Sequence, residues 1–183
     1  MKIKEVVLSA ARLLGIEEEV AAYFADTDTL GKKNAELLTT CFHLVENELA
    51  IDYLPLINEE TYSTETGQIL YSWLQKRVLR VLEVRNLQGD LLPFKIFPKY
   101  LTTQPSTVRV RYTFVPEEKD VDGECEYGEN VSKRLLAFGV ATEYCLAMGL
   151  FEEAAVWDRK YKDAIESVRS LAPYKRISSR RWI

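Results

Sequence analysis

The side chains that could do chemistry in this chain are few. His43 is the single histidine among 183 residues, and it sits in CFHLVENELAIDYLPL, residues 41–56, with Glu46 and Glu48 close behind. Imidazole and carboxylate are the groups that bind transition metals or move protons near neutral pH. A zinc site needs three or four such ligands, and the H-E-x-x-H helix needs a second histidine. Glu46 stands at i+3 from His43 and can share its face, but the pair is incomplete. The apolar positions Leu38, Cys41, Phe42, Val45 and Leu49 trace one stripe, and His43 lies about 100° from Phe42 on its flank. The spacing predicts a structural helix, not a metal or acid–base site.

A second candidate is DVDGE, residues 120–124, which begins like a calcium loop. An EF-hand loop requires a third oxygen ligand before its glycine and a glutamate at its twelfth position. Gly123 follows Asp122 directly, so the ligand spacing fails. The surrounding PEEKDVDGECEYGEN predicts a solvated acidic loop. If copies of the chain close into a ring, Glu117, Glu118, Asp120, Asp122 and Glu124 would face the channel and repel DNA from its wall.

Neither a phosphate-cradling G-x-x-x-x-G-K-[ST] nor a G-x-G-x-x-G or G-x-S-x-G motif occurs. A Ser-His-Asp triad would have to recruit His43 from inside a helix. The expectation is a chain that is not an enzyme and holds no cofactor and no metal. With 28 acidic residues, carboxylate-pair chemistry stays open, and it would draw on Glu46, Glu143 and Glu152.

The elements that must position these residues are legible from periodicity. Val6, Val7, Ala10, Leu13 and Leu14 give helical spacing within residues 2–25, with a break near Gly15. Asp28 or Thr29 can cap a longer helix that runs to about residue 52 and stops before Pro55. From about residue 66 the pattern changes. GQILYSWL, RVLRVLEVRN, LPFKIFPKYL and TVRVRYTFVP are rich in β-branched and aromatic residues and are separated by the turns NLQGD and TTQPST. Val108, Val110, Tyr112 and Phe114 alternate with Thr107, Arg109, Arg111 and Thr113, the signature of a half-buried antiparallel strand. After the acidic loop, Asn130 can cap a helix with Leu135, Phe138, Ala141, Cys145 and Met148 on one face. Gly149 then makes a tight link to a last helix carrying Ala154, Trp157, Tyr161, Ile165, Val168 and Ala172, which predicts an antiparallel hairpin. Pro173 ends it.

The expected fold class is therefore α+β, mainly α: a helical bundle with an inserted small antiparallel β-sheet and an extended C-terminal tail. The helical domain is discontinuous, residues 1–65 and 117–172, the β-subdomain is 66–116, and the tail is 173–183. No apolar run reaches the 18 or so residues of a membrane span, and the N-terminus lacks a secretory h-region. Cys41, Cys125 and Cys145 are an odd, widely spaced set, which suits reduced thiols in a cytoplasmic setting.

The net charge of −4 conceals an asymmetry. Lys175, Arg176, Arg180 and Arg181 place four positive charges in the last nine residues, so the remainder has 20 basic against 28 acidic residues, a body of −8. A typical nucleic-acid-binding domain is basic overall, whereas this chain is an acidic body with a basic tail. In the tail RISSRRWI, Trp182 offers a large apolar area, and Arg180 and Arg181 offer forked donors. Arg176, Arg180, Arg181, Trp182 and Ile183 are thus the expected protein-interface residues, docking on another subunit or folding back on their own chain.

The opening helix VVLSAARLLGI, the helix LLTTCFHLVENELAIDYLPL, the hairpin VSKRLLAFGVATEYCLAMGLFEEAAVWDRKYKDAI and the terminal RRWI, taken in order, resemble the head-tail connector (neck adaptor) proteins of tailed bacteriophages and prophages. The resemblance implies a non-enzymatic virion structural protein. It implies a homo-oligomeric ring, commonly of about twelve copies in closed cyclic symmetry, joining the portal protein to tail or stopper proteins around passing DNA. Binding would be without sequence specificity and without a membrane, in the neck of a virion assembled in the host cytoplasm. The β insertion departs from the smallest all-helical connectors. A non-viral adaptor or binding module, and a carboxylate-based enzyme, are the alternatives.

Overall fold

The computed structural model describes residues 1–128 and 131–170. Helix α1, Ile3–Leu13, buries Ile3, Val6, Val7, Ala10 and Ala11, the i, i+3, i+4 positions of one face. It ends where Gly15 takes φ +75, a conformation that costs glycine little. Helix α2, Glu17–Phe24, follows, so the break expected near Gly15 is present.

Helix α3, Lys32–Glu48, continues through a π turn, Leu49–Tyr53, that stops short of Pro55. Its start differs from expectation. Gly31 is the N-cap, while Asp28 accepts from the Leu30 N–H at 3.0 Å in a turn one step earlier. Gly31 backs directly onto the Glu19 carbonyl of α2, which leaves no room for the Cβ of an ordinary capping residue.

The chain then enters a strand sooner than expected. Strand β1, Leu56–Thr64, lies inside the stretch assigned to the helical part. It pairs antiparallel with β6, Ser106–Phe114, in the register Leu56↔Phe114 to Thr64↔Ser106. On the other side β6 pairs with β3, Val78–Asn86, which carries two bulges, so β6 is the central strand. Val108, Val110 and Tyr112 are fully buried, as their alternation predicts. A second antiparallel sheet, in the order β2-β5-β4, is built from Gln68–Leu70, Tyr100–Thr102 and Lys95–Ile96. The insertion is therefore two small sheets, not one, and GQILYSWL is strand only over Gln68–Leu70 before a 3-10 turn at Tyr71–Trp73.

Helix α4, Lys133–Ala147, is capped by Ser132, whose side chain accepts from the Leu135 N–H at 3.2 Å. The cap expected at Asn130 lies outside the described residues. The helix packs against α1, α3 and α5, and its residues from Leu135 to Thr142 are all buried. A single apolar face was too narrow an expectation for a helix enclosed by three neighbours. Met148 is 47% exposed, because the chain is already turning away into Gly149 at φ +75. Helix α5, Phe151–Ser170, returns antiparallel and buries Ala154, Tyr161 and Ile165, with the half-buried Trp157 stacked 5.8 Å from Phe138. Ala172, Pro173 and the tail lie outside the described residues.

Two hydrophobic cores result. One gathers α1, α3, α4 and α5, and the other lies beneath the β1–β6–β3 sheet with Ile69 and Leu101 of the second sheet. Leu56 packs against both, where the helical chain hands over to the insertion. Each fully buried Leu, Ile or Val contributes about 1.5–3 kcal/mol, so each core holds its own layer. The chain is α+β and mainly α, a helical bundle with inserted antiparallel strands. No described helix is long and apolar enough to cross a membrane.

Candidate functional site

His43 is half-buried on α3 with its ring edge-on to Phe42, centroids 5.4 Å apart. Glu46 is not its partner. It is 1% exposed, and its Oε1 accepts the Glu126 N–H at 2.8 Å, across from α3 to the loop after β6. A buried carboxylate must be compensated by donors, and here a loop amide does it. Cys125 lies beside Glu46, and burial pushes its thiol up to about 12, with the Glu46 charge and hydrogen bond adding to the effect.

The same loop makes a charged junction one residue on. Lys76, just ahead of β3, and Lys119 both reach Glu126 Oε1 at 2.8 Å. Burial pushes the Glu126 carboxyl up, but the two ammonium groups outweigh it and hold it below the usual carboxylate range. Tyr127 donates to the Leu54 carbonyl at 2.8 Å. The loop's carbonyls in turn cap α1: the Ile3 N–H donates to Gly123 at 3.0 Å and the Lys4 N–H to Val121 at 2.8 Å. These amides have no partner within their own helix. The acidic segment is thus half solvated and half built in. Glu117, Glu118, Asp120, Asp122 and Glu124 are exposed, while Cys125, Tyr127 and Val131 enter the helical core.

The densest polar cluster lies in the insertion, and sequence reasoning missed it. Glu60 on β1 accepts from Tyr62 Oη at 2.7 Å, from Asn58 Nδ2 at 2.9 Å, from the Gln75 N–H at 3.1 Å and from Tyr112 Oη. Tyr112 Oη in turn accepts from Asn58 at 3.1 Å and from the Lys76 N–H at 3.3 Å. Burial first, and the Glu60 carboxylate second, push Tyr62 up to about 12, so these phenols remain neutral donors at physiological pH. The arrangement ties β1, β6 and the 3-10 turn together, and every Glu60 donor comes from the fold itself. The one sequence signal was the i, i+2, i+4 spacing of Asn58, Glu60 and Tyr62, one face of a strand.

The carboxylates of the enzyme alternative are dispersed. Glu46 faces the loop amide, whereas Glu143 on α4 is half-buried near Glu48 and Asp158. Burial, then those two negative charges, push the Glu143 carboxyl up. Glu152 is exposed on the first turn of α5. Among the described residues no group of three or more His, Cys, Asp or Glu side chains is placed to hold a metal ion. A cleft of about 480 Å³ opens between α1, α2 and α3, and Lys4, Phe24, Asp26, Glu36 and Asp122 are among its lining residues. Lys4 Nζ donates to the Phe24 carbonyl at 3.1 Å and sits 5.2 Å above that ring. Of the five exposed loop carboxylates only Asp122 lines this cleft, and none of Glu46, Glu143 and Glu152 does.

The expected interface residues Arg176, Arg180, Arg181, Trp182 and Ile183 lie outside the described residues. No family model and no curated protein matches this chain.

Proposed function

We propose that this chain is a structural adaptor of the head-tail connector type, forming a ring in the virion neck between portal and tail and surrounding the DNA channel. The observation that carries this reading is the architecture. A helical bundle closed by the α4–α5 hairpin, the elements that carry the resemblance to neck adaptors, receives a β insertion with its own core. The described polar clusters at Glu46 and Glu60 hold elements together, and the acidic loop presents five exposed carboxylates outward. The basic tail would dock on a neighbouring subunit or on the portal, with Trp182 as anchor and Arg180 and Arg181 paired to carboxylates.

Deleting residues 180–183 tests this. The shortened chain should keep its helical content and lose assembly on portal complexes. A truncation that unfolds the isolated chain would place the tail in its own core and end the docking idea. A second reading, a binding module outside any virion, draws on Leu146, Met148, Leu150 and Phe151, which leave an exposed apolar patch at the α4–α5 turn. That reading predicts a stable monomer or dimer indifferent to portal.

A further inference from the structure

The β1–β6–β3 sheet has one face on its core and an outer face that is exposed or half-exposed except at Thr113, which is buried. On the outer face the register sets Glu59 and Glu83 on either side of Arg111, Thr61 and Arg85 on either side of Arg109, and Arg80 beside Thr113. Four arginines stand with two glutamates. Arg109 reaches Glu59 at 3.5 Å, while Arg111 at 3.2 Å and Arg85 at 2.9 Å share Glu83. Arg85 and Arg109 are directly opposed across the strands, a placement of like charges that is unfavourable in an isolated sheet. Arg80 is exposed and makes no ion pair among the described residues. Beside this array Ile57, Leu79 and Leu82 are 48%, 44% and 40% exposed. The face therefore combines surplus positive charge with apolar area left in water.

The opposite charge is displayed elsewhere on the same chain. Glu117, Glu118, Asp120, Asp122 and Glu124 are exposed, and none of them makes an ion pair among the described residues. Their loop is fixed by its carbonyls to the start of α1 and by Glu46 to α3. It is a presented surface more than a loose segment.

We propose that the acidic loop 117–124 of a second copy docks on the arginine face of the β1–β6–β3 sheet, with Arg80, Arg85, Arg109 and Arg111 receiving its carboxylates. Discrete carboxylates suit this face better than a nucleic acid does. Glu59 and Glu83 sit inside the arginine array, so a continuous phosphate backbone crossing it would meet both of them, and the body carrying the sheet is acidic overall. The two surfaces differ, so one engagement leaves a free face on one copy and a free loop on the other. Such a head-to-tail contact repeats from copy to copy, and a rotation that closes on itself makes it the contact of a ring. The inference rests on the ring reading and names the contact that would build it.

The test is a charge swap in the full chain, with assembly measured by native mass and sedimentation, alone and on portal complexes. Arg109→Glu with Arg111→Glu should abolish assembly, and so should Glu117→Lys, Glu118→Lys and Asp120→Lys together, with circular dichroism unchanged. Mixing the two variants should restore it as a strictly alternating assembly, because the reversed face then meets the reversed loop. The loop variant alters only exposed side chains, so it stands as the test by itself if the sheet variant fails to fold. Wild-type assembly by both variants refutes this contact and leaves the ring reading intact. A wild-type chain that stays monomeric alone and on portal removes both. Duplex DNA captured by a monomer through Arg109 and Arg111 assigns the face to nucleic acid and overturns the inference.

Discussion

Replacing Glu46 separates a structural carboxylate from a chemical one. Glu46→Ala leaves the Glu126 N–H, now at 2.8 Å from Glu46 Oε1, without an acceptor. An orphaned buried amide costs about 1–3 kcal/mol. The side chain is 1% exposed, so its removal also leaves a void. Relief of a buried charge offsets part of this. The net loss should be about 2–4 kcal/mol. At about 2–4 °C per kcal/mol for a chain of this size, the Tm falls by about 4–16 °C. Glu46→Gln keeps an oxygen acceptor in place and should stay within about 1 kcal/mol of wild type. Thermal unfolding gives the magnitudes, and hydrogen exchange at the Glu126 amide gives the mechanism: protection lost in the alanine variant and kept in the glutamine one. An alanine variant within about 0.5 kcal/mol of wild type, or one with Glu126 protection unchanged, would refute the pinning of the acidic loop to α3.

Three further outcomes follow from the packing. Gly139→Ala puts a Cβ 2.7 Å from Val45 Cγ1 and 2.9 Å from the Tyr161 ring. The helix-propensity gain of about 1 kcal/mol is outweighed by overpacking of about 1–3 kcal/mol, so equilibrium denaturation should show net destabilisation. Burial pushes Cys41 and Cys125 up to about 12 in the folded chain, against about 8.5 for a free thiol. They should resist thiol reagents at neutral pH until the chain unfolds. By linkage, the stability they contribute is present below the unfolded value and falls as pH rises from there toward the folded one, which alkaline denaturation curves can read. His43→Ala should cost no more than about 1 kcal/mol, and a bound metal lost together with function on that change would make His43 a ligand instead of a flank residue of α3.

What the sequence disclosed depended on how local the signal was. The β6 alternation and the Gly149 turn are properties of adjacent residues, and both elements form where expected. Strand β1 was hidden because the residues on its inner face include Asn58, Glu60 and Tyr62, whose burial is offset by hydrogen bonds from strands and turns far along the chain. Hydropathy cannot register a polar inward face. The cap of α3 differs from expectation for a related reason: Gly31 is chosen by the closeness of α2, which no window of sequence around α3 contains. Met148 matched the apolar period yet lies beyond the last turn of α4. Glu46 was visible as a residue, but its partner is the Glu126 amide, eighty residues away.

The most direct test of the adaptor reading is the native mass of the purified chain, alone and mixed with portal complexes. A closed ring of fixed stoichiometry on the portal, commonly about twelve copies in closed cyclic symmetry, is the expected result. A monomer or dimer whose mass and mobility are unchanged by portal would contradict it.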